Sequence, residues 1–156
     1  MKHKLRLAQW LALGVPALLL GGAYLSQYGF GLFPCEMCWW QRYAHFAALA
    51  LALGSFAAAP KSLWVALAAL AVLVSGIIGG FHAGVEYGWW EGLTACSSSV
   101  DNSSGDPLSA IMNAPLIRCD VAPWTLAGIS LAGFNAMISS ISALAIFVLL
   151  AKARRA

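Results

Sequence analysis

The sequence has very little charge. Only 10% of its 156 residues are Asp, Glu, Lys or Arg, whereas 61% are apolar, and the mean hydropathy is +0.77. Soluble domains carry about 25% charged residues, so this composition excludes an ordinary soluble domain and indicates a membrane protein. We therefore expect a lipid bilayer around the chain and no nucleic acid as a partner.

Long polar regions are also scarce, because four apolar runs occupy most of the chain. Each run is near or above the ~20 residues that cross ~30 Å of hydrocarbon. The first exceeds the ~7–15 apolar residues of a signal peptide, which favours a transmembrane helix over a cleaved leader. We predict an all-α membrane protein, a four-transmembrane-helix bundle without a second domain. The predicted spans cover about residues 7–25, 39–59, 63–81 and 124–151, with loops at about 26–38 and 82–123.

The few charges are distributed unevenly. Most cations fall at the two termini and in the connection between the second and third spans: Lys2, Lys4, Arg6, Lys61, Lys152, Arg154 and Arg155. All six acids lie in or beside the other two connections: Glu36, Glu86, Glu91, Asp101, Asp106 and Asp120. The positive-inside rule then predicts that both termini are cytoplasmic. Every cysteine is consequently expected outside the cytoplasm, where disulfides persist.

Only four cysteines are present, and two form a Cys-x-x-Cys pair, Cys35 and Cys38, where the second span begins. A helix N-terminus carries positive potential that stabilises a thiolate, which favours redox chemistry. Arg42 follows at a spacing that shares the helix face of both cysteines. A guanidinium inside a membrane needs a partner, such as a thiolate or a quinone oxygen, although Arg42 as a simple interfacial anchor is the alternative. His45, one turn deeper, extends this polar stripe or serves as a packing histidine.

The other two cysteines, Cys96 and Cys119, flank the serine-rich outer loop. A disulfide between them is either a structural staple or part of an exchange relay, and the nearby Cys-x-x-Cys favours the relay. A four-cysteine zinc site is disfavoured, because a second Cys-x-x-Cys is missing and the compartment is oxidising, so we expect no metal. His82 stands near the outer end of the third span, where it could approach the helix that carries Cys35.

Several segments together carry a resemblance to one family. Phe33-Pro34-Cys35-Glu36-Met37-Cys38-Trp39-Trp40-Gln41-Arg42 resembles the motif that opens the second helix of the DsbB family, the bacterial disulfide bond formation membrane oxidoreductases. His82-Ala83-Gly84-Val85-Glu86-Tyr87-Gly88-Trp89-Trp90, then Cys96, Cys119 and Pro123-Trp124, is similar to the later landmarks of that family. The resemblance covers nearly the whole chain in the same order.

The resemblance implies a thiol–quinone oxidoreductase of the bacterial inner membrane. Such a protein re-oxidises a periplasmic, thioredoxin-like oxidase of the DsbA type and passes the electrons to the membrane quinone pool, ubiquinone or menaquinone. It implies that Cys96 accepts the attack of the partner and that Cys119 then attacks Cys35. It further implies that Cys38 reacts with quinone, with Arg42 stabilising its charge and His82 near the quinone. The alternative is a non-catalytic membrane scaffold with two structural disulfides.

Overall fold

Four long helices make up most of the molecule. The computed structural model describes residues 2–93, 97–98 and 116–154. The helices are α1 (Lys2–Phe30), α2 (Glu36–Ala57), α3 (Lys61–Glu86) and α4 (Leu131–Arg154). Only three residues separate α2 from α3, so these two helices form a tight antiparallel hairpin.

Three of the helices are long and apolar enough to cross a membrane, namely α1, α3 and α4. Together they make the chain a multi-pass membrane protein. The exception is α2, which carries Glu36 in its first turn and the buried polar side chains of Gln41, Arg42 and His45. The predicted second span therefore stays a prediction.

The helices pack as a closed bundle. Each packs against its neighbours in the chain, and α1 also packs against α4. The largest apolar cluster lies where all four helices meet near the predicted cytoplasmic end, with Ala12 from α1, Ala52 from α2, Ala68 from α3 and Ile146 from α4 at its centre. Cys35, Met37, Val85 and Cys119 form a separate cluster at the opposite end.

Small residues bring α3 and α4 close together. A Cβ added to Gly76 would lie 2.8 Å from Ser140 Oγ, and one added to Gly79 would lie 2.9 Å from Asn135 Nδ2. Neither position has room for a side chain, so these glycines allow the close packing of α3 and α4.

The helices differ from the predicted spans at three of their limits. The third helix continues past Phe81 to Glu86, where Gly88 (φ 70°) and a Trp89 N–H bond to the Gly84 carbonyl end it. His82 therefore lies within α3 rather than in the outer loop. The first helix likewise runs on to Phe30.

The fourth helix begins at Leu131, seven residues after the predicted start at Trp124. The intervening residues form a two-stranded hairpin in which β3 (Thr125–Leu126) pairs with β4 (Ile129–Ser130). Ala127 and Gly128 both have positive φ, as a tight two-residue hairpin turn requires. An apolar composition could not distinguish this hairpin from another helical turn.

The outer loop contains a second short pairing, between β1 (Ser97–Ser98) and β2 (Leu116–Ile117). This antiparallel pair brings the two ends of the loop together. Cys96 and most of the serine-rich centre lie outside the described residues.

Candidate redox site

The Cys-x-x-Cys pair lies at the N-terminus of α2. Cys35 is the N-cap residue, and its sulfur accepts a hydrogen bond from the backbone N–H of Cys38. The Cys35 thiol donates to the Cys38 sulfur across 3.4 Å. This hydrogen bond, together with burial, raises the pKa of Cys35 to about 12. Cys35 is thus held as the thiol, and Cys38, in the first helical turn, accepts the hydrogen bond.

Two groups from other parts of the chain surround Cys35. His82 of α3 is almost fully buried, with its Nε2 3.5 Å from the Cys35 sulfur and 3.7 Å from Glu86 Oε1. Cys119, which follows β2, is also buried. The sulfurs of Cys35 and Cys119 and a ring nitrogen of His82 all lie within 4.8 Å of one another.

These three groups have the chemistry of metal ligands, but their arrangement has a simpler meaning. Two sulfurs within 4.8 Å can reach the distance for thiol–disulfide exchange through small side-chain movements. Three of the four predicted redox cysteines, Cys35, Cys38 and Cys119, therefore gather at one end of the bundle.

Arg42 is buried, with 5% of its surface exposed, and it has neutral partners. Its guanidinium donates to Gln27 Oε1 at 2.6 Å and to the backbone carbonyl of Ala23 at 3.0 Å, both on α1. It also lies over the rings of Tyr24 and Trp39, at 4.8 and 5.0 Å from their centres. These contacts hold the cation at a fixed position inside the bundle, which does not match a simple anchor that extends to the surface.

A mainly apolar cavity of about 240 Å³ lies beside Cys38. Most of its walls are aliphatic or aromatic side chains of α1, α4 and the loop before Cys35, and its polar lining residues are Ser26, Cys38, Gln41, Arg42, His45 and Asn135. A second cavity of about 550 Å³ adjoins it, sharing Leu32 and Leu131, and extends along α1 to Phe30 and Trp124.

A quinone-type ring, in its oxidised and reduced forms, matches this cavity by the acceptor and the donors of its polar wall. The ring nitrogen Nδ1 of His45 is buried and, among the described residues, has no hydrogen-bond partner. A ligand hydroxyl, as the reduced ring bears, would satisfy it. Arg42 supplies N–H donors on the same wall. His82, predicted at the same place, is not among the lining residues and contacts Cys35 instead.

A buried network of polar side chains joins the cysteines to the cavity. Gln41 contacts His82 at 3.0 Å and accepts from Asn135 at 2.8 Å. His45 contacts both Asn135 and Ser75 at 2.9 Å. The network thus links α2, α3 and α4 in the centre of the bundle.

Sequence analysis missed three members of this network: Gln41, Ser75 and Asn135. Each is a polar residue within an apolar helix, which is a signal of function or helix association in membrane proteins. Their convergence on one point depends on how the helices rotate and pack, which the sequence pattern does not specify.

Comparisons with known proteins identify the family. Residues 5–149 match the family model described as "Disulfide bond formation protein DsbB". The chain is also similar to the Disulfide bond formation protein B of Verminephrobacter eiseniae (strain EF01-2), with 32% identity over 96% of this chain and 88% of that protein. No solved structure matches. The chain therefore belongs to the DsbB family of disulfide bond formation proteins.

Proposed function

We propose that the protein re-oxidises a periplasmic, thioredoxin-like oxidase of the DsbA type and transfers the electrons to membrane quinone. The observation that carries this proposal is the position of the Cys35–Cys38 pair between Cys119 and the cavity. Cys119 approaches Cys35 from one side, and Cys38 borders the cavity on the other. Electrons from the outer loop would thus have a short route to a ligand within the bundle.

The first half of the reaction takes place between sulfurs. A thiolate of the partner attacks Cys96 of a Cys96–Cys119 disulfide, and the second partner thiol releases the partner in its oxidised form. Cys119, now reduced, attacks Cys35 of the Cys35–Cys38 disulfide, and Cys38 leaves as a thiolate. Cys96 then attacks Cys119 and restores the first disulfide, so that two electrons and two protons have moved to the Cys35–Cys38 pair.

The second half of the reaction takes place at the cavity. A bound quinone supplies a two-electron acceptor. Cys38 borders the cavity as the sulfur that gives up the electrons, while Cys35 closes on it to restore the disulfide. Arg42 offsets negative charge on Cys38 and on the ligand, and His45 offers its unpartnered ring nitrogen. The surrounding apolar walls exclude water from these groups.

The membrane arrangement completes the proposal. We propose that all four helices span the bacterial inner membrane, with both termini cytoplasmic and both cysteine pairs periplasmic. Burial of the α2 polar groups against α1, α3 and α4 supports a spanning position for α2 despite its lower hydropathy, because each of these groups has its partner inside the bundle. In this arrangement Cys35 and Cys119 face the compartment of the partner.

The test is quinone-dependent re-oxidation by the purified protein in detergent or lipid nanodiscs. A reduced DsbA-type protein and a soluble ubiquinone or menaquinone analogue are mixed with it, and quinone reduction is followed by absorbance. We expect turnover with the unaltered protein and none with Cys38→Ser. If the reduced partner is not re-oxidised, the protein is the alternative scaffold with two structural disulfides.

The order of the sulfurs has its own test. A reduced partner that keeps only its attacking cysteine should accumulate a mixed disulfide with Cys96, visible on a non-reducing gel, because Cys119 leaves as a thiolate and the second partner thiol that would release Cys96 is missing. Cys38→Ser should still allow a partner adduct at Cys96. Trapping of the partner at Cys35 instead would show that the assigned order is wrong.

A further inference from the structure

The buried network has a defined direction of hydrogen bonding, and it begins at two backbone carbonyls. The carbonyl of Ser75 lies 3.1 Å from Asn135 Nδ2, and the carbonyl of Met37 lies 3.1 Å from Gln41 Nε2. A carbonyl oxygen can only accept, so the NH₂ group of each amide must face it. The amide orientations agree with each other, because Asn135 Nδ2 donates to Gln41 Oε1 at 2.8 Å.

The orientation of Gln41 fixes the proton on His82. Gln41 Nε2 also lies 3.0 Å from His82 Nδ1. Since the NH₂ group is a donor, Nδ1 must be the accepting, unprotonated nitrogen of a neutral imidazole. The proton of His82 is then on Nε2, which points to the Cys35 sulfur at 3.5 Å and to Glu86 Oε1 at 3.7 Å.

The orientation of Asn135 fixes the proton on His45 in the same way. Asn135 Oδ1 lies 2.9 Å from His45 Nε2 and accepts a second bond from Ser139. Ser75 Oγ donates to the Gln41 carbonyl, so it accepts from His45 Nε2 at 2.9 Å. His45 Nε2 thus carries the proton, and the partnerless Nδ1 at the cavity wall is bare.

We propose that Asn135 and Gln41 are positioning residues that place the proton of both His82 and His45 on Nε2. His82 then presents an N–H group to the Cys35 sulfur, while His45 presents a bare Nδ1 at the cavity. This inference deepens the proposed function, and the roles of the two histidines rest on that function. The positions of their protons depend only on how the helices pack.

Two chemical consequences follow. His82 is a hydrogen-bond donor to Cys35 and not the base that removes its proton, because the nitrogen nearest the sulfur already carries a proton. Neutral His45 is an acceptor at the cavity, so it favours a ring that bears a hydroxyl group over one that bears only carbonyl groups. The reduced form of a quinone, or a hydroxyquinone, has this hydroxyl.

The proton positions can be read directly by ¹⁵N NMR of the reduced, histidine-labelled protein in nanodiscs. The protein has three histidines, and single substitutions assign their resonances. We expect Nε2 protonated and Nδ1 bare for both His45 and His82. A protonated Nδ1 on neutral His82 would overturn the proposal, whether or not the protein reduces quinone.

Asn135→Leu removes the centre of the network and should give mixed tautomers for both histidines. Gln9→Leu is the matched control, because Gln9 is also a buried amide but binds Ser55 in a separate network. The control spectrum should match that of the unaltered protein. Unchanged tautomers in folded Asn135→Leu, or equal changes in Gln9→Leu, would contradict the proposal.

If Asn135→Leu does not fold, Gln41→Glu is a second test, because glutamate keeps the shape of the side chain. It replaces the donor that faces His82 with an oxygen, so His82 should gain a proton on Nδ1. A bare Nδ1 in this variant would overturn the assignment.

Turnover gives a second measurement with the same variants. Loss of oriented hydrogen bonds should lower kcat for quinone reduction by roughly three- to tenfold. The KM for the partner protein should change less than kcat, because Asn135 and Gln41 line the cavity, whereas His82 is the member of the network that approaches Cys119. The kcat of Asn135→Gln should lie between those of Asn135→Leu and the unaltered protein, because glutamine keeps an amide that can donate to Gln41. A change confined to the partner KM would contradict a role at the cavity.

Discussion

At the scale of single residues, the most unusual group is the buried cation of Arg42. Among the described residues, its recorded partners are an amide, a backbone carbonyl and two aromatic rings, and none of these is an acid. A carboxylate would neutralise the charge permanently. Neutral partners orient the guanidinium and leave its charge available to an anion that forms during the reaction.

We expect Arg42→Lys to slow quinone reduction about tenfold while the protein still folds. A lysine keeps the charge, but it cannot bridge Gln27 and Ala23 or stack between the rings. Steady-state kinetics with a soluble quinone analogue measure the change.

Arg118→Lys serves as the control for Arg42→Lys. Arg118 is exposed and pairs with Asp120, whose pKa it lowers, and exposed ion pairs contribute little to stability because solvent screens them. Equal losses in both lysine variants, or a loss of expression confined to Arg42→Lys, would contradict a specific role for the guanidinium.

The raised pKa of Cys35 predicts slow alkylation. With a pKa of about 12, the thiol should be about one part in ten thousand thiolate at pH 8, and its labelling rate should rise about tenfold per pH unit toward pH 11. Mass spectrometry of the reduced Cys96→Ala/Cys119→Ala protein after iodoacetamide treatment measures this rate.

Removing Cys38 should accelerate that labelling, since its hydrogen bond is the largest cause of the raised pKa. Cys38→Ala in the same background is the comparison. Rapid labelling of Cys35 at pH 8 with Cys38 still present would show that the hydrogen bond does not hold the proton.

Several residues of the site were predictable and others were not. Helical periodicity places Cys38 and Arg42 on one face, and both border the cavity. His82 does approach α2, as predicted, but it contacts Cys35 and Gln41 rather than the cavity. This distinction depends on the rotation of α3 about its axis, which hydropathy does not define for a helix with several buried faces.

At the scale of the helices, the contact between α3 and α4 depends on glycine at particular positions. A Cβ at Gly79 would lie 3.0 Å from the Ala132 carbonyl and 3.1 Å from the Ala136 nitrogen. At the next residue, a Cβ added to Gly80 would have one neighbour within 4 Å, the Cβ of Ala136 at 3.8 Å. The two glycines therefore form a matched pair.

We expect Gly79→Ala to destabilise the bundle by about 1–3 kcal/mol, because the backbone of α4 must move. Gly80→Ala should be neutral or stabilising by up to about 1 kcal/mol, since alanine favours the helix. Unfolding in mixed micelles measures both. Similar stability of the two variants would mean that α3 and α4 are not packed as described.

The limits of the helices were harder to predict than their number. A long apolar run does not reveal that residues 125–130 form a hairpin, because both strands are as apolar as a helix. The polar groups of α2 lower its hydropathy without ending the helix, since their partners lie on other helices.

At the scale of the whole molecule, the charge pattern predicts the orientation of the bundle in the membrane. The cations Lys2, Lys61, Lys152 and Arg154 are exposed, and all lie at the end of the bundle away from Cys35 and Cys38. The positive-inside rule predicts that this end faces the cytoplasm.

A reporter that is fluorescent only in the cytoplasm should therefore be active when fused to the C-terminus. A membrane-impermeant thiol reagent gives the complementary result. It should label a cysteine introduced at Glu91 from the periplasmic side, but not one introduced at Lys61. The reverse labelling would invert the orientation and place both redox pairs in the cytoplasm.

The position of Asn135 late in the chain has a consequence for biogenesis. In the proposed arrangement, in which α2 spans the bilayer, Gln41 and His45 lack the partner that α4 brings until the end of the chain is made, so α2 first carries an uncompensated polar cost. That cost is relieved only when the last helix packs. The polar network beside the redox cysteines is therefore complete only after α4 has packed against α2.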